Sequence, residues 1–501
     1  MKHTKFFAAF LFVMVMSSAA VAQIVSPVDF MRGNPRVMNA NPATFVPERG
    51  YFDFLLGGFN FGVQNIGLKY DNFFRFNNMG QPTVLDLDKG IASLRDVNYV
   101  NNYFNLDVFS FGRRTRHGFF TYTHKIREIE SFSYSKDLVQ LLAKGNSAFL
   151  GARPANIDLG IAMRAFQEFD FGYQMCLLDQ LNVGVRLKFL MGLANVKTDA
   201  LNIKLYTDPD TYALSLMAKG IVNATVPYGF DIVDGNLVPD NAFNVGALFK
   251  NYGAGIDLGA EYKIDNQIGV AAAINDLGVI SWNTYSAELD AGLQDGGSFY
   301  HDGAFVFSGI TQDHVNGIIN DPNYLNHLLD SLPNYYQFGM KKIAGYKTGL
   351  NTNMMVRGYY DFDPENRLSA QIMGYNMGLG MKPAMTIAYT GTFGNKYDVV
   401  ATYTMMPGSY DNVGVGLSAN FGGLMFYVAT NNLFGFFNPA NISQMNLQFG
   451  ISFTAGDKVS RDETVVIKRE KKHLDEESDE ESEEASEKES EEEVNTTSDE
   501  E

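Results

Sequence analysis

From residue 51 to about residue 454, apolar and polar positions alternate with period two, in runs that reach nine to eleven residues. Along 445–454, Met445, Leu447, Phe449, Ile451 and Phe453 fall on one face, and Asn446, Gln448, Gly450, Ser452 and Thr454 fall on the other. Along 181–189, Leu181, Val183, Val185, Leu187 and Phe189 share a face opposite Asn182, Gly184, Arg186 and Lys188. Period two marks strands, because successive side chains point to opposite sides of the backbone. The runs exceed the roughly five or six residues usual in a soluble sandwich and match the roughly nine to eleven a tilted strand needs to cross a bilayer. A lipid-facing side and a wet lumen account for both faces at once. The pattern predicts an all-β fold, a transmembrane antiparallel β-barrel over residues 51–456. About 14 strands are expected, with 12 to 16 compatible with the preference of bacterial single-chain barrels for even numbers.

Five segments break the period. Residues 1–22 read as an export signal: Lys2, His3 and Lys5, an apolar run, then small residues ending at Ala22. The apolar run is too short for a membrane anchor, which needs about 20 residues, and no Cys at the cleavage point invites a lipid. Residues 23–50 carry Pro27, Pro35, Pro42 and Pro47 and read as an irregular N-terminal arm suited to plugging the barrel. Helical spacing shows in 136–146, with Gly145 as terminator, and again in 313–333 on either side of Pro322. These two are expected as loop helices at the rim. Residues 457–501 form a tail, mostly Ser and Glu from Asp475 onward, with too little apolar surface to fold and a short basic patch at 468–473.

Composition sharpens this picture. Forty Phe, 26 Tyr and 48 Gly suit strands, aromatic girdles and tight turns. The lone Cys176 excludes an internal disulfide. Residues 475–501 hold 16 Asp or Glu against one Lys, so nearly all of the net charge of −18 sits in the tail. The near-neutral body lacks the basic face that nucleic-acid binding needs.

Candidate chemistry is sparse. No HExxH spacing or GxSxG elbow is present, so no enzyme, resident metal or cofactor is expected. The glycines of 253–259 resemble a dinucleotide loop, but the third is one residue late and a strand surrounds them. Asp86 with Asp88, and Asp361 with Asp363 and Glu365, have the alternate oxygens of a Ca²⁺ loop without completing one; solvated loops explain them better. Strand parity turns Asp158, Arg164, Arg186, Lys188, Asp257 and Glu261 toward the lumen, where such residues line a path or pair with one another.

Several stretches resemble a family of uncharacterised outer-membrane barrels of Bacteroidota, distantly similar to long-chain fatty-acid transporter-like barrels and type IX secretion accessory barrels. They are 38–47, with the Asn41–Pro42–Ala43 element, 141–149, 181–196, 254–262, 274–282 and 413–435. The likeness spans most of residues 35–455 and leaves the tail aside. It implies an outer-membrane barrel with an N-terminal plug that includes Asn41, Pro42 and Ala43, and it brings no catalytic residue. The function expected is to bind or pass small, hydrophobic molecules in outer-membrane lipid. The competing reading is a scaffold or accessory barrel for protein export or envelope assembly, with the tail in the periplasm as a docking element for a protein partner.

Overall fold

The structure, a computed structural model, describes residues 25–459 apart from 77–81, 116, 152, 211–213, 227, 234–235, 244–245, 247–248, 284–285, 291–298, 301–338, 395, 439–442 and 457. The expected signal, the second helical insertion and the acidic run lie outside the described residues.

Fourteen strands close into an antiparallel ring: β1 Gly50–Ile66, β2 Val97–Arg114, β3 Gly118–Ser135, β4 Leu159–Leu178, β5 Leu181–Thr207, β6 Tyr252–Lys263 and β7 Ile268–Trp282, then β8 Asn353–Asp361, β9 Asn366–Asn376, β10 Met381–Phe393, β11 Tyr397–Met406, β12 Ser409–Phe421, β13 Leu424–Thr430 and β14 Gln444–Ala455. Each pairs with the next in sequence, and β14 returns to β1 with Tyr51 opposite Thr454 and Phe61 opposite Leu447. Closure leaves no open edge, so every backbone polar group of the ring finds a partner without water. Among the described residues no helix is long and apolar enough to cross a membrane.

One end of the ring carries only short turns, such as 179–180, 264–267, 394–396 and 422–423. The opposite end carries the long connections 67–96, 136–158, 208–251 and 283–352. In barrels of this kind short turns face the periplasm and long loops face outward. The helix Lys136–Lys144 sits in one long loop, capped by Ser135 and ended by Gly145 at φ +72°. Its boundaries follow the sequence pattern because both caps are local.

The outer surface shows the expected alternation. Phe189, Val356, Ile372 and Phe453 each expose more than half of their surface, which in water would be a large uncovered apolar patch and in a bilayer is the lipid contact. Exposed Tyr262, Tyr360, Phe393, Tyr397 and Phe421 lie toward the short-turn end, and Tyr252, Tyr403 and Tyr410 toward the other, forming the two aromatic girdles. The inward positions Asn182, Arg186, Lys188, Asn446, Gln448 and Ser452 are buried.

One part of the wall rises above the ring. The 27-residue β5 pairs with β6 up to Met191, and from Asn195 onward with an accessory strand, Leu214–Thr225. That strand pairs in turn with Ser286–Asp290, and this one with Gly339–Ile343. The runs at 198–207 and 212–219 read as ordinary strand candidates, yet the first continues β5 and the described part of the second belongs to the accessory strand outside the ring. Period two reports a strand, not whether it belongs to the ring. Trp282 fills the junction, donating Nε1–H to Thr348 Oγ1 at 2.9 Å. Gly192 makes the room, since a Cβ there would stand 2.4 Å from the indole.

Candidate functional site

The arm occupies the lumen. Its prolines preclude a long helix or a ladder strand, so its backbone forms two short 3₁₀ turns and is otherwise satisfied piecemeal. Ser26 and Asp29 cap the turn Pro27–Phe30 reciprocally, and the Asn34 side chain caps Pro35–Asn39. Four further arm carbonyls are taken by the wall: Arg357 donates to Asp29 O at 2.8 Å, Thr390 to Phe30 O at 3.1 Å, Arg186 to Met38 O at 2.7 Å and Asn275 to Ala40 O at 2.8 Å. These partners come from four strands around the ring, so the arm is fixed from several sides.

Two docking points depend on glycine. At the first, Arg36 reaches between Asp53 of β1 and Asp107 of β2, forming an ion pair with each, and all three side chains are buried. Here β1 bulges between Phe54 and Gly58, with Leu55 at φ +58°. A Cβ at Gly57 would stand 2.6 Å from the guanidinium, and one at Gly58 2.4 Å from the Asp107 carboxylate. The bulge and its glycines thus make the pocket for Arg36. At the second, Asn41–Pro42–Ala43 forms a side-chain turn, Ala43 N–H donating to Asn41 Oδ1 at 2.9 Å, and Asn41 Nδ2 donates to Ala260 O at 3.2 Å. The turn lies flat on Gly184 and Gly259, where a Cβ would stand 2.2 Å from Pro42 and 2.0 Å from Asn41.

Above the arm lies a buried network of eight charges. Lys125 meets Asp170 at 2.8 Å; Arg127 meets Glu168 at 2.7 Å and Asp276 at 2.9 Å; Arg186 meets Asp257 at 3.1 Å; Lys188 meets Asp276 at 2.5 Å, Asp257 at 3.0 Å and Glu168 at 3.3 Å. Four cations face four anions. Mutual pairing is what makes burial of such charges tolerable. Asp276 takes φ +59°, which turns its carboxylate between Arg127 and Lys188.

Three cavities stack along the axis. The outer one, about 190 Å³, is bordered by Arg164, Asn195, Lys197 and Asn351. The middle one, about 150 Å³, shares Ile129, Asn351, Asn376 and Met377 with it and is floored by arm residues Asp29, Arg36 and Asn39. Its lining mixes the charge network with Met355, Met373 and Tyr375. The third, about 530 Å³, lies on the short-turn side of the arm among Arg32, Phe45, Arg357, Tyr359 and Lys458. The arm separates the first two from the third.

Of the residues the sequence singled out, Arg186, Lys188 and Asp257 meet in the network. Glu261 accepts from Tyr359 Oη at 2.8 Å beside the third cavity, and Arg164 borders the outer cavity. Asp158 is not on the lumen wall: it precedes β4, in the outer connection, and accepts from Ile203 N–H at 2.8 Å. Parity was extended one step beyond the strand. Sequence reasoning missed Lys125, Arg127, Glu168, Asp170 and Asp276. Glu168 and Asp170 share the parity of Arg164 and were within reach; Lys125 and Arg127 were masked by Glu128 and Glu130 on the opposite face, and Asp276 by its own bulge. The glycines of 253–259 lie within β6. Asp86 caps the helix Leu87–Ser93 and pairs with Arg75; Asp361 pairs with Arg367; Asp363 bonds within its own turn.

Comparison with solved structures returns barrels at low identity. The toluene transporter TodX of Pseudomonas putida is 10% identical at a TM-score of 0.39, covering 84% of this chain and 94% of that one. A FadL homologue of Pseudomonas aeruginosa is 9% identical at 0.37, covering 86% and 98%, and the toluene transporter TbuX of Ralstonia pickettii 10% identical at 0.38, covering 87% and 98%. No curated protein sequence matches the chain. The match that spans most of it, residues 42–431, is to the Family of unknown function (DUF5723), and the chain belongs to that family.

Proposed function

We propose that the protein is an outer-membrane channel for small molecules, held closed in this state by its N-terminal arm. The observation that carries this reading is the arm itself: it divides a lumen that holds cavities on both of its sides, and it is held by hydrogen bonds and ion pairs rather than by strand pairing. A segment outside the ladder is one that moves without opening the wall. The middle cavity offers Ile129, Met355, Met373 and Met377 beside its charges, which suits cargo with a hydrophobic body and a polar end. Toluene transporters among the similar structures name a hydrophobic cargo for those proteins; here the mixed lining supports an amphipathic one. The exposed apolar band, the two girdles and the export signal read from residues 1–22 support the outer-membrane address.

Native mass spectrometry of protein extracted gently from its own outer membrane tests the proposal. A small amphipathic molecule bound at one per chain supports the channel. An empty barrel travelling with other protein subunits contradicts it and favours the scaffold reading, with the lumen network as a structural filling.

A further inference from the structure

We propose that the outer cavity is a binding site for an oxyanion, held by Arg164 and Lys197. The inference rests on the channel reading only in making the site part of a path, and it names the chemistry of the cargo's polar end.

Arg164 is 7% exposed and stands outside the balanced network below it. Among the described residues it makes one hydrogen bond, Nη1 to Asn351 Oδ1 at 3.1 Å, and its Nε is buried with no partner. Neither Arg164 nor Lys197 forms an ion pair with a described residue. In the β4–β5 ladder Arg164 lies opposite Asn195, and Lys197 opposite Ala162. The two cations are therefore diagonal neighbours bordering one cavity, a separation that long side chains bridge. Two like charges on one face repel, and a buried guanidinium without a carboxylate is costly. An anion between them removes both penalties.

The remaining lining fits an oxyanion. Asn351, Asn376 and Thr348 supply neutral hydrogen-bonding groups, and among the described residues no carboxylate borders the cavity. Tyr346 Oη fixes Asn195 by donating to its Oδ1 at 2.8 Å. The space, about 190 Å³, far exceeds the ~10–15 Å³ that a single water needs. Arginine's planar fork is the usual partner for two oxygens of one phosphate, sulfate or carboxylate group. The cavity lies toward the long-loop end, so such a ligand is met from outside before the network and the arm. Its oxyanion is either a free ion or the head of a larger amphiphile.

Calorimetric titration of the full chain in detergent tests the site, with inorganic phosphate, decyl phosphate and decanol as probes. Phosphate is expected to bind the wild-type protein, about tenfold more weakly to Lys197→Gln, and not at all to Arg164→Gln. Arg164→Lys keeps the charge and is expected to retain part of the affinity. Heat-modifiable gel mobility verifies that each variant is folded, and Lys197, which is partly exposed, carries the test if Arg164→Gln is not. Decyl phosphate binding more tightly than phosphate identifies the head of an amphiphile; equal binding identifies a free ion. The proposal is overturned if neither phosphate binds at millimolar concentration, if decanol binds as well as decyl phosphate, or if Lys197→Gln and Arg164→Lys both bind like the wild type. These results leave the channel reading untouched, because that one falls on the native ligand and on conductance.

Discussion

Arg36 carries more of the closed state than any other arm residue, because it is the only neutralising group for two buried carboxylates among the described ion pairs at the β1 bulge. Removing one member of such a triad leaves charge buried without a partner, at a cost of about 3–5 kcal/mol. Arg36→Ala is expected to release the arm, seen as protease cleavage within residues 25–47, whereas Arg36→Met combined with Asp53→Asn and Asp107→Asn is expected to restore most of the protection. Glu48, at the arm's exit, poses a second residue-scale question. Its carboxylate is buried, neither oxygen has a hydrogen-bond partner, and Lys458 stands 3.5 Å away. Burial pushes its pKa up to about 7 despite Lys458. The docked arm therefore binds more protons than the released one between the ordinary carboxylate pKa and 7, so docking weakens as pH rises through that window, by about 1.4 kcal/mol per unit, and is level on either side. The protection factor for hydrogen exchange at residues 45–49, taken relative to the intrinsic exchange rate at each pH, is expected to be smaller at pH 8 than at pH 5, and Glu48→Gln is expected to flatten the difference.

At the scale of elements, the arm and the wall are fitted to each other through backbone, not through side-chain packing alone. Gly184 of β5 and Gly259 of β6 present bare backbone to Asn41–Pro42–Ala43, and any side chain there enters the arm's space. Gly259→Val is expected to leave strand pairing intact, since valine suits a strand, while displacing the arm; unchanged protease protection of residues 25–47 would contradict this account of the docking. How far these features were legible follows from where their causes lie. The helix Lys136–Lys144 was readable because Ser135 and Gly145 are local signals. The parity of 181–189 and 445–454 located the lumen faces because the extra residues of the register shifts within these stretches lie on the partner strands, so both strands keep their own alternation. The bulges at Leu55 and Asp276 were not readable: the first answers to Arg36, and the second to Arg127 and Lys188, 149 and 88 residues away in the chain. The accessory strands outside the ring were likewise invisible in period two. Lys458 and Val459, assigned to the tail, instead pack under the arm, Val459 N–H donating to Pro47 O at 2.8 Å, a contact that only closure of β14 beside β1 brings about.

For the whole molecule, the ring, the apolar band and the plugged lumen make one account: a wall stable in lipid around a polar interior whose charges are paired at its centre and which the arm divides. Such a barrel is expected to stay folded in detergent until heated, to shift its gel mobility on boiling, and to sediment with outer membranes; recovery as a soluble periplasmic protein would contradict the reading of the outer surface. The measurement that bears most directly on the central claim is single-channel conductance in planar bilayers, comparing the full chain with a variant lacking residues 25–47. The account predicts that the full chain is silent apart from brief openings, and that the shortened chain, shown to be folded by its heat-modifiable mobility, gives steady conductance. A shortened, folded barrel that remains as silent as the full chain would mean that the charge network alone seals the lumen and that the arm is not its gate.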